Sequence, residues 1–220
     1  MIAGLQAHNL VAVAVANPLR ALQSDSDYLS SILASIPGPV VLVAHSYGGM
    51  LTTEVGAASD VVKALVYVAA FAPNTGDSGL GLSGKFPGST LGETLASVPL
   101  GDGVNDLSIV QERYHDQFMA DVPAAEARLY AATQRPATDK ALGDTLQTNT
   151  PAWSVRPSWF VFGDGDRNIP VEAHRFMADR AGSRRTTEVA GASHSIAASR
   201  PEVVVEAILE AARSAHAIAQ

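Results

Sequence analysis

Ser46 is the residue of this chain whose surroundings best suit nucleophilic chemistry. It lies in the segment Val43–Gly49, with small residues two positions before it and two positions after it. A serine hydroxyl is a poor nucleophile until a base takes its proton, and a histidine that serves as this base needs a carboxylate to fix its tautomer. For Ser46 to attack a carbonyl carbon, the fold must bring it a histidine and an acidic residue from elsewhere in the chain.

The residues around Ser46 predict a sharp turn from a strand into a helix. Residues 40–43 are apolar and mostly β-branched, which is typical of a buried strand, and a helical pattern begins at residue 49. A serine at the apex of such a turn is strained, and the strand and helix pass so close that large flanking side chains would clash, which explains Ala44 and Gly48. The turn exposes the hydroxyl and leaves the backbone N–H of Tyr47 as the predicted oxyanion-hole donor.

The acid and the base are expected where later strands end. One predicted strand, at residues 159–162, is followed by Asp164 and Asp166, and the last predicted strand is followed by His194. Because the carboxyl ends of parallel strands meet at one edge of a sheet, these side chains can converge on the serine. Asp166 is favoured as the acid because it lies past the glycine-rich turn, from where it can reach the loop of His194. Asp164 remains the alternative.

The other histidines fit the role of base less well. His45 adjoins the serine, but the turn is expected to direct it away. The remaining ones fall in predicted helices, in the segment before residue 152 or at a helix exit, where a packed or solvated imidazole is the simpler interpretation; they are His8, His115, His174 and His216.

Strand and helix patterns alternate along the first 70 residues, which predicts a mostly parallel sheet with helices on both faces. Strands are predicted at Leu10–Ala16, at residues 40–43 and at residues 64–70. We interpret residues 1–220 as one α/β domain, because the length suits a single core.

The alternation of strand and helix patterns is interrupted from about residue 74 to about residue 152, which predicts an insertion that forms a helical cap over the sheet edge. Helices are predicted within it around Leu107–Met119 and at Ala124–Thr133. Three aromatic residues in or beside this insertion are expected to line a substrate pocket: Phe71, Tyr114 and Phe118.

The composition limits the classes of partner. The chain has 22 acidic and 15 basic residues, a net charge of −7 and no cluster of Lys and Arg, so no nucleic acid partner is expected. No stretch approaches the roughly 20 apolar residues that span a bilayer, so no membrane partner is expected. Cysteine is absent, and Ile169 stands where a calcium loop starting at Asp164 requires glycine. No metal or other cofactor is expected.

The apolar run Leu10–Ala16 imitates the core of a secretory signal. No Lys or Arg precedes it, and Asn17 and Pro18 end it at the length of a strand. We therefore interpret it as a strand, and a cytoplasmic location is the default expectation.

Three motifs resemble the α/β-hydrolase superfamily: Val-Ala-His-Ser-Tyr-Gly-Gly at 43–49, Gly-Asp-Gly-Asp-Arg-Asn-Ile-Pro at 163–170 and Gly-Ala-Ser-His at 191–194. The resemblance covers nearly the whole chain. Within the superfamily, the chain most resembles small bacterial esterase-like members that are related to plant methylesterases and hydroxynitrile lyases. This resemblance implies the α/β-hydrolase fold, with Ser46 as the nucleophile, Asp166 as the orienting acid and His194 as the base. The lyases carry a lysine just after the histidine, where this chain has Ser195, so the resemblance disfavours cyanohydrin cleavage.

The resemblance also implies a strand and a His-Gly-type loop that this chain lacks, so an N-terminally truncated form of the fold is expected. In the superfamily that loop supplies a second oxyanion donor, and its strand lies between the Leu10–Ala16 strand and the strand that ends at Ser46. Without it, the sheet is expected to close up, to swap a strand, or to pair with another chain in a homo-oligomer. A start codon assigned too far downstream would explain the missing strand and loop more simply.

The sequence therefore favours a serine hydrolase that acts on small carboxylic esters or lactones through an acyl-enzyme. Two alternatives remain open. Without the second oxyanion donor, the chain could be a catalytically impaired, hydrolase-like binding protein. The same triad could also carry out perhydrolysis or another acyl transfer. The expected partner is a small-molecule ester, whose identity the sequence does not predict.

Overall fold

The computed structural model describes residues 1–218 of the chain. Its strands are, in chain order, β1 (Val40–Ser46), β2 (Val62–Ala70), β3 (Leu95–Pro99), β4 (Asn105–Ile109), β5 (Ala137–Thr138), β6 (Ser158–Gly163) and β7 (Arg185–Val189). Its α-helices are, in chain order, α1 (Ile2–Ala7), α2 (Leu22–Ala34), α3 (Gly48–Val55), α4 (Gly79–Ser83), α5 (Gln111–Phe118), α6 (Ala124–Thr133), α7 (Asp139–Gly143), α8 (Val171–Arg180), α9 (Ile196–Ser199) and α10 (Pro201–Ile218). Within residues 1–218, no helix has the length and apolar character to cross a membrane.

Four strands form a parallel sheet in the order β1-β2-β6-β7. Almost every residue of β2 and β6 is buried, as expected for central strands of a parallel sheet that is covered on both faces. Because the four strands run in the same direction, the residues that follow β1, β6 and β7 meet at one edge of the sheet. Ser46, the two candidate acids and His194 all belong to this edge.

The two faces of the sheet belong to two separate cores. Leu65 and Tyr67 of β2 point into a core that contains residues of α2, α3 and α8. Ala64, Val66 and Val68 point the other way, into a core that contains residues of α1, α9 and α10. The prediction of an α/β fold with helices on both faces of a mostly parallel sheet is confirmed.

The chain between β2 and β6 folds into a group of short elements with a small core of its own. Strands β3, β4 and β5 form an antiparallel sheet, and α5 and α6 pack together beside it. The prediction of a helix at Ala124–Thr133 agrees with α6. The helix predicted around Leu107–Met119 corresponds to α5, but it begins at Gln111, because β4 continues to Ile109. Asp102 and Gly103 both adopt positive φ and turn β4 back against β3.

The prediction of a strand at Leu10–Ala16 is wrong. The segment has no regular secondary structure, and Val11 exposes 94% of its surface. Leu10 and Ala12 pack instead against the core on the α10 side of the sheet. A strand needs a hydrogen-bonding neighbour, and within residues 1–218 the sheet ends at β1 without extending to this segment. An apolar run of strand length therefore does not form a strand here.

Helix α3 comes closest to the sheet at Gly49. A methyl group added there would lie 1.9 Å from the carbonyl oxygen of Phe71, far inside contact distance. A methyl group at Gly48 would meet only the Cβ of Ala44, at an ordinary 3.8 Å. The close approach expected at Gly48 thus occurs one residue later, although Ala44 still limits the size of the side chain at that position.

Replacing Gly49 by alanine should lower the free energy of unfolding by about 2–3 kcal/mol, because the backbone at Phe71 has to move to admit the methyl group. Urea unfolding followed by circular dichroism measures this loss. Gly92→Ala is the matched control, since no atom lies within 4 Å of the methyl group added there. Equal stability of the two variants would contradict the close approach.

Candidate active site

Ser46 ends β1 in a strained conformation. Its φ of +53° lies in the left-handed region, which costs a residue other than glycine about 1–3 kcal/mol. The backbone around it is held on the side of β2, where the N–H of Phe71 donates a hydrogen bond of 3.2 Å to the carbonyl oxygen of Ser46. The serine is partly exposed and lines a cavity.

Tyr47 anchors the turn through its side chain. Its hydroxyl donates a hydrogen bond of 3.1 Å to Asp25, a fully buried residue whose carboxylate also accepts the backbone N–H of Arg20. Burial and the charge of Asp25 raise the pKa of Tyr47 well above its usual range, so the phenol keeps its proton. The backbone N–H of Tyr47 lies just before α3, at the end of the helix where N–H groups lack intrahelical acceptors.

The two candidate acids have different partners. Oδ2 of Asp166 lies 2.7 Å from Nδ1 of His194, and its Oδ1 accepts the backbone N–H groups of Asn168 and Ile169. Asp164 is exposed and accepts the backbone N–H of Gly191. The structure therefore brings Asp166, and not Asp164, to the candidate base.

Asp166 is an ionised carboxylate in a buried position. Burial by itself would raise its pKa. The neighbouring His194 and His174 outweigh this effect through their charge and their hydrogen bonds, and they hold the pKa of Asp166 below its usual range. The carboxylate can therefore accept hydrogen bonds from both imidazoles at neutral pH.

His194 is fully buried and has one nitrogen without a partner. Nδ1 faces Asp166, whereas Nε2 makes no hydrogen bond within the described chain. The ring packs edge-on against Phe118, with 4.8 Å between the ring centroids. A neutral imidazole held in this way carries its proton on Nδ1 and a lone pair on Nε2.

The loop that carries His194 is attached to α5 and to β6. The carbonyl oxygen of Phe118 accepts the N–H of Ser195 and the hydroxyl of Ser193, and Asp121 accepts the N–H of Ser193. On the other side, a methyl group at Gly163 would lie 1.9 Å from the carbonyl oxygen of Ala192, so only glycine fits there.

Two histidines that the sequence argued against as the base lie beside His194. Nε2 of His45 donates to the carbonyl oxygen of His194 over 2.9 Å, and the two ring centroids are 4.7 Å apart. His174 of α8 places Nε2 3.0 Å from Oδ2 of Asp166. Sequence reasoning missed this second contact because it treated a helical histidine as a packing residue. The available signal was its position, eight residues after Asp166 and just inside the helix that follows the acid.

These imidazoles direct their N–H groups at oxygen atoms and not their lone pairs at a common point. Within residues 1–218, no group of three His, Cys, Asp or Glu side chains is arranged to hold a metal ion. The chemistry that this arrangement supports is proton transfer.

A cavity of about 220 Å³ opens beside Ser46. Phe71, Tyr114 and Phe118, the three aromatic residues expected in a pocket, all contribute to its wall. Half of the other lining residues are leucines and isoleucines, and all of these except Ile169 come from the chain between β2 and β6. The cavity therefore favours an apolar ligand group next to the serine hydroxyl.

Removing the carboxylate of Asp121 should lower the free energy of unfolding by about 1–3 kcal/mol at neutral pH, because the N–H of Ser193 loses a charged acceptor. Burial raises the pKa of Asp121, but the hydrogen bonds from Ser193 outweigh this and hold the pKa below the ordinary value of 3.8. A carboxyl group whose pKa is lower in the folded state stabilises the fold at pH values above the ordinary value of 3.8. This stabilisation is lost as the pH falls through the lowered pKa of the folded state.

Urea unfolding of the wild type and of Asp121→Ala measures this effect as a stability gap that narrows below pH 3.8. Asp121→Asn is the matched control, because it keeps an acceptor for Ser193 but does not titrate. A gap that is independent of pH would contradict the assignment.

Comparisons with known proteins identify a matching sequence family and similar solved structures. Residues 7–207 match the sequence model of the alpha/beta hydrolase family. A search of curated proteins finds no match. Similar solved structures include polyneuridine aldehyde esterase, with a TM-score of 0.70 and 20% identity over 88% of this chain and 80% of that one. A methylesterase from Arabidopsis has a TM-score of 0.71 and 19% identity over 92% of this chain and 82% of that one.

A variant of tomato methylketone synthase I, complexed with beta-ketoheptanoate, is also similar, with a TM-score of 0.72 and 16% identity over 97% of this chain and 90% of that one. At these identities the solved structures establish a common fold. The family model spans most of the sequence, and the resemblance inferred from the three motifs is confirmed. The chain belongs to the alpha/beta hydrolase family.

Proposed function

We propose that the protein is a serine hydrolase that cleaves small carboxylic esters or lactones through an acyl-enzyme, with Ser46, His194 and Asp166 as its triad. The observation that carries the proposal is the buried, unpaired Nε2 of His194. The opposite nitrogen is bound to Asp166, and Phe118, which packs on the imidazole, lines the same cavity as Ser46. A base with an unsatisfied lone pair, packed against a ring that lines the cavity of a strained serine, is suited to proton abstraction.

In the proposed reaction, Nε2 of His194 takes the hydroxyl proton of Ser46 while Oγ attacks the carbonyl carbon of the ester. Asp166 stabilises the imidazolium that forms and remains ionised throughout, because its pKa is held below the usual range. His194 then gives this proton to the leaving alcohol, which leaves an acyl-serine. A water molecule, deprotonated by the same nitrogen, releases the carboxylic acid and restores the serine.

The negative charge of the tetrahedral intermediate develops on the former carbonyl oxygen. We propose that the backbone N–H of Tyr47 donates to this oxygen, supported by its place at the amino end of α3, where the helix dipole favours negative charge. A single donor of this kind contributes about 10²–10³ to kcat. The hydrogen bond from the Tyr47 side chain to Asp25 would keep this amide in place.

The size and lining of the cavity support a small, largely apolar substrate. Its volume of about 220 Å³ is below the range of roughly 300–1,000 Å³ that holds drug-sized ligands. The aromatic and aliphatic wall suits the acyl or alkyl part of an ester. The chain between β2 and β6 supplies most of this wall, and we propose that it acts as a specificity cap.

The similar solved structures support ester chemistry as a class. They include polyneuridine aldehyde esterase, a methylesterase and a pyrethroid hydrolase from Sphingobium faniae, the last with a TM-score of 0.66 and 21% identity over 86% of this chain and 77% of that one. The methylketone synthase shares the same fold, so the fold alone does not fix the reaction. The proposal therefore depends on the residues of the site.

A fluorophosphonate probe should label Ser46, because the probe traps an activated serine as a stable adduct. We expect labelling of the wild type and turnover of p-nitrophenyl acetate, with both lost in Ser46→Ala. Ser108→Ala is the matched control, since Ser108 also lines the cavity but has an ordinary place in β4. A folded wild type that is neither labelled nor active would refute the hydrolase and favour a binding role.

Exchange of each candidate acid for its amide separates their roles. Asp166→Asn should lower kcat by about 10⁴-fold, because the amide no longer holds the proton of His194 on Nδ1. Asp164→Asn keeps an acceptor for the N–H of Gly191 and should leave kcat nearly unchanged. Steady-state kinetics on p-nitrophenyl acetate measure both variants, and a larger loss at Asp164 would contradict the proposed triad.

A further inference from the structure

The proposed reaction makes no use of His174, although this histidine touches the triad. It is fully buried in α8, and its Nε2 lies 3.0 Å from Oδ2 of Asp166. The same oxygen accepts Nδ1 of His194 at 2.7 Å. One carboxylate oxygen is thus shared by two imidazoles from different segments of the chain.

The shared oxygen fixes which nitrogen of each ring carries a proton. An ionised carboxylate accepts hydrogen bonds and donates none. His174 therefore holds a proton on Nε2, and His194 holds one on Nδ1. This leaves Nδ1 of His174 buried without a partner within the described chain.

Packing alone does not account for a histidine at position 174. Its ring stacks on Phe162, with centroids 4.7 Å apart and planes inclined by 10°. A phenyl ring would make this contact without burying an unpaired nitrogen, which lowers stability. What a phenyl ring lacks is the N–H group directed at Asp166.

We propose that His174 is a positioning residue that sets the basicity of His194 through Asp166. Two donors on one oxygen weaken each other's hydrogen bonds, so His174 limits how strongly Asp166 stabilises protonated His194. The base then releases its proton to the leaving group more readily. The inference rests on the proposed function, in which His194 gains and loses a proton in every cycle.

The groups around His174 leave Asp166 as its direct charged partner. His194 faces it from the loop after β7, and His45 of β1 lies behind His194. On α8 itself, Glu172 and Arg175 pair with each other at the surface. Oδ1 of Asp166 stays bound to two backbone N–H groups, so the carboxylate keeps its place when His174 is replaced.

The test compares three variants by the pH dependence of kcat and KM on p-nitrophenyl acetate. His174→Phe keeps the stacked ring and removes the donor, with His174→Leu as its substitute should the phenyl variant not fold. His174→Gln keeps an N–H donor. His8→Phe removes an exposed histidine outside the site and serves as the control.

We expect the acid limb of the kcat/KM profile to move up by about one pH unit in His174→Phe, with KM little changed. His174→Gln should return most of this shift, and His8→Phe should match the wild type. A purely structural role would lower stability in urea without moving the profile. A folded His174→Phe with the profile of the wild type would overturn the inference.

Failure of the proposed function is recognised separately, as absence of fluorophosphonate labelling at Ser46 in the wild type. In that case NMR titration of the His194 imidazole tests the inference about His174 without requiring enzyme turnover. A midpoint that rises in His174→Phe and returns in His174→Gln supports the inference. An unchanged midpoint in the folded phenyl variant overturns it.

Discussion

The triad depends on the buried negative charge of one carboxylate, that of Asp166. A carboxylate in the protein interior is costly unless hydrogen bonds and opposite charge replace its water shell. Here four N–H groups do so: two from the backbone that follows the acid, one from His174 and one from His194. These donors lie in the loop after β6, in α8 and in the loop after β7. Satisfying one charge therefore fixes three segments relative to one another.

The sheet brings this charge and the serine to the same edge through close backbone contacts. Ser46 keeps its unfavourable φ because Phe71 binds its carbonyl oxygen and because α3 approaches the Phe71 backbone at Gly49. Gly163 allows the loop of His194 to approach the end of β6 in the same way. Glycine at these two positions lets the strand ends converge, and the strain at the serine is balanced by packing elsewhere.

Much of this arrangement could be predicted from the sequence because it follows from local rules. The turn at Ser46, the acid after β6 and the histidine after β7 each come with their own strand or glycine signal. The strand predicted at Leu10–Ala16 was wrong because pairing depends on a neighbour elsewhere in the fold. The contact between His174 and Asp166 was missed for a similar reason, since a helical position does not reveal what the helix packs against.

The hydrogen bonds between Phe118 and the loop of His194 have a mechanical consequence. The carbonyl oxygen of Phe118 accepts hydrogen bonds from Ser193 and Ser195, on either side of the imidazole, so a wall residue of the cavity is bonded directly to the loop that carries the base. If α5 moved outward together with this loop, the imidazole of His194 would lose its alignment with the carboxylate of Asp166. Substrate entry that displaced α5 in this way would therefore separate the candidate base from its acid.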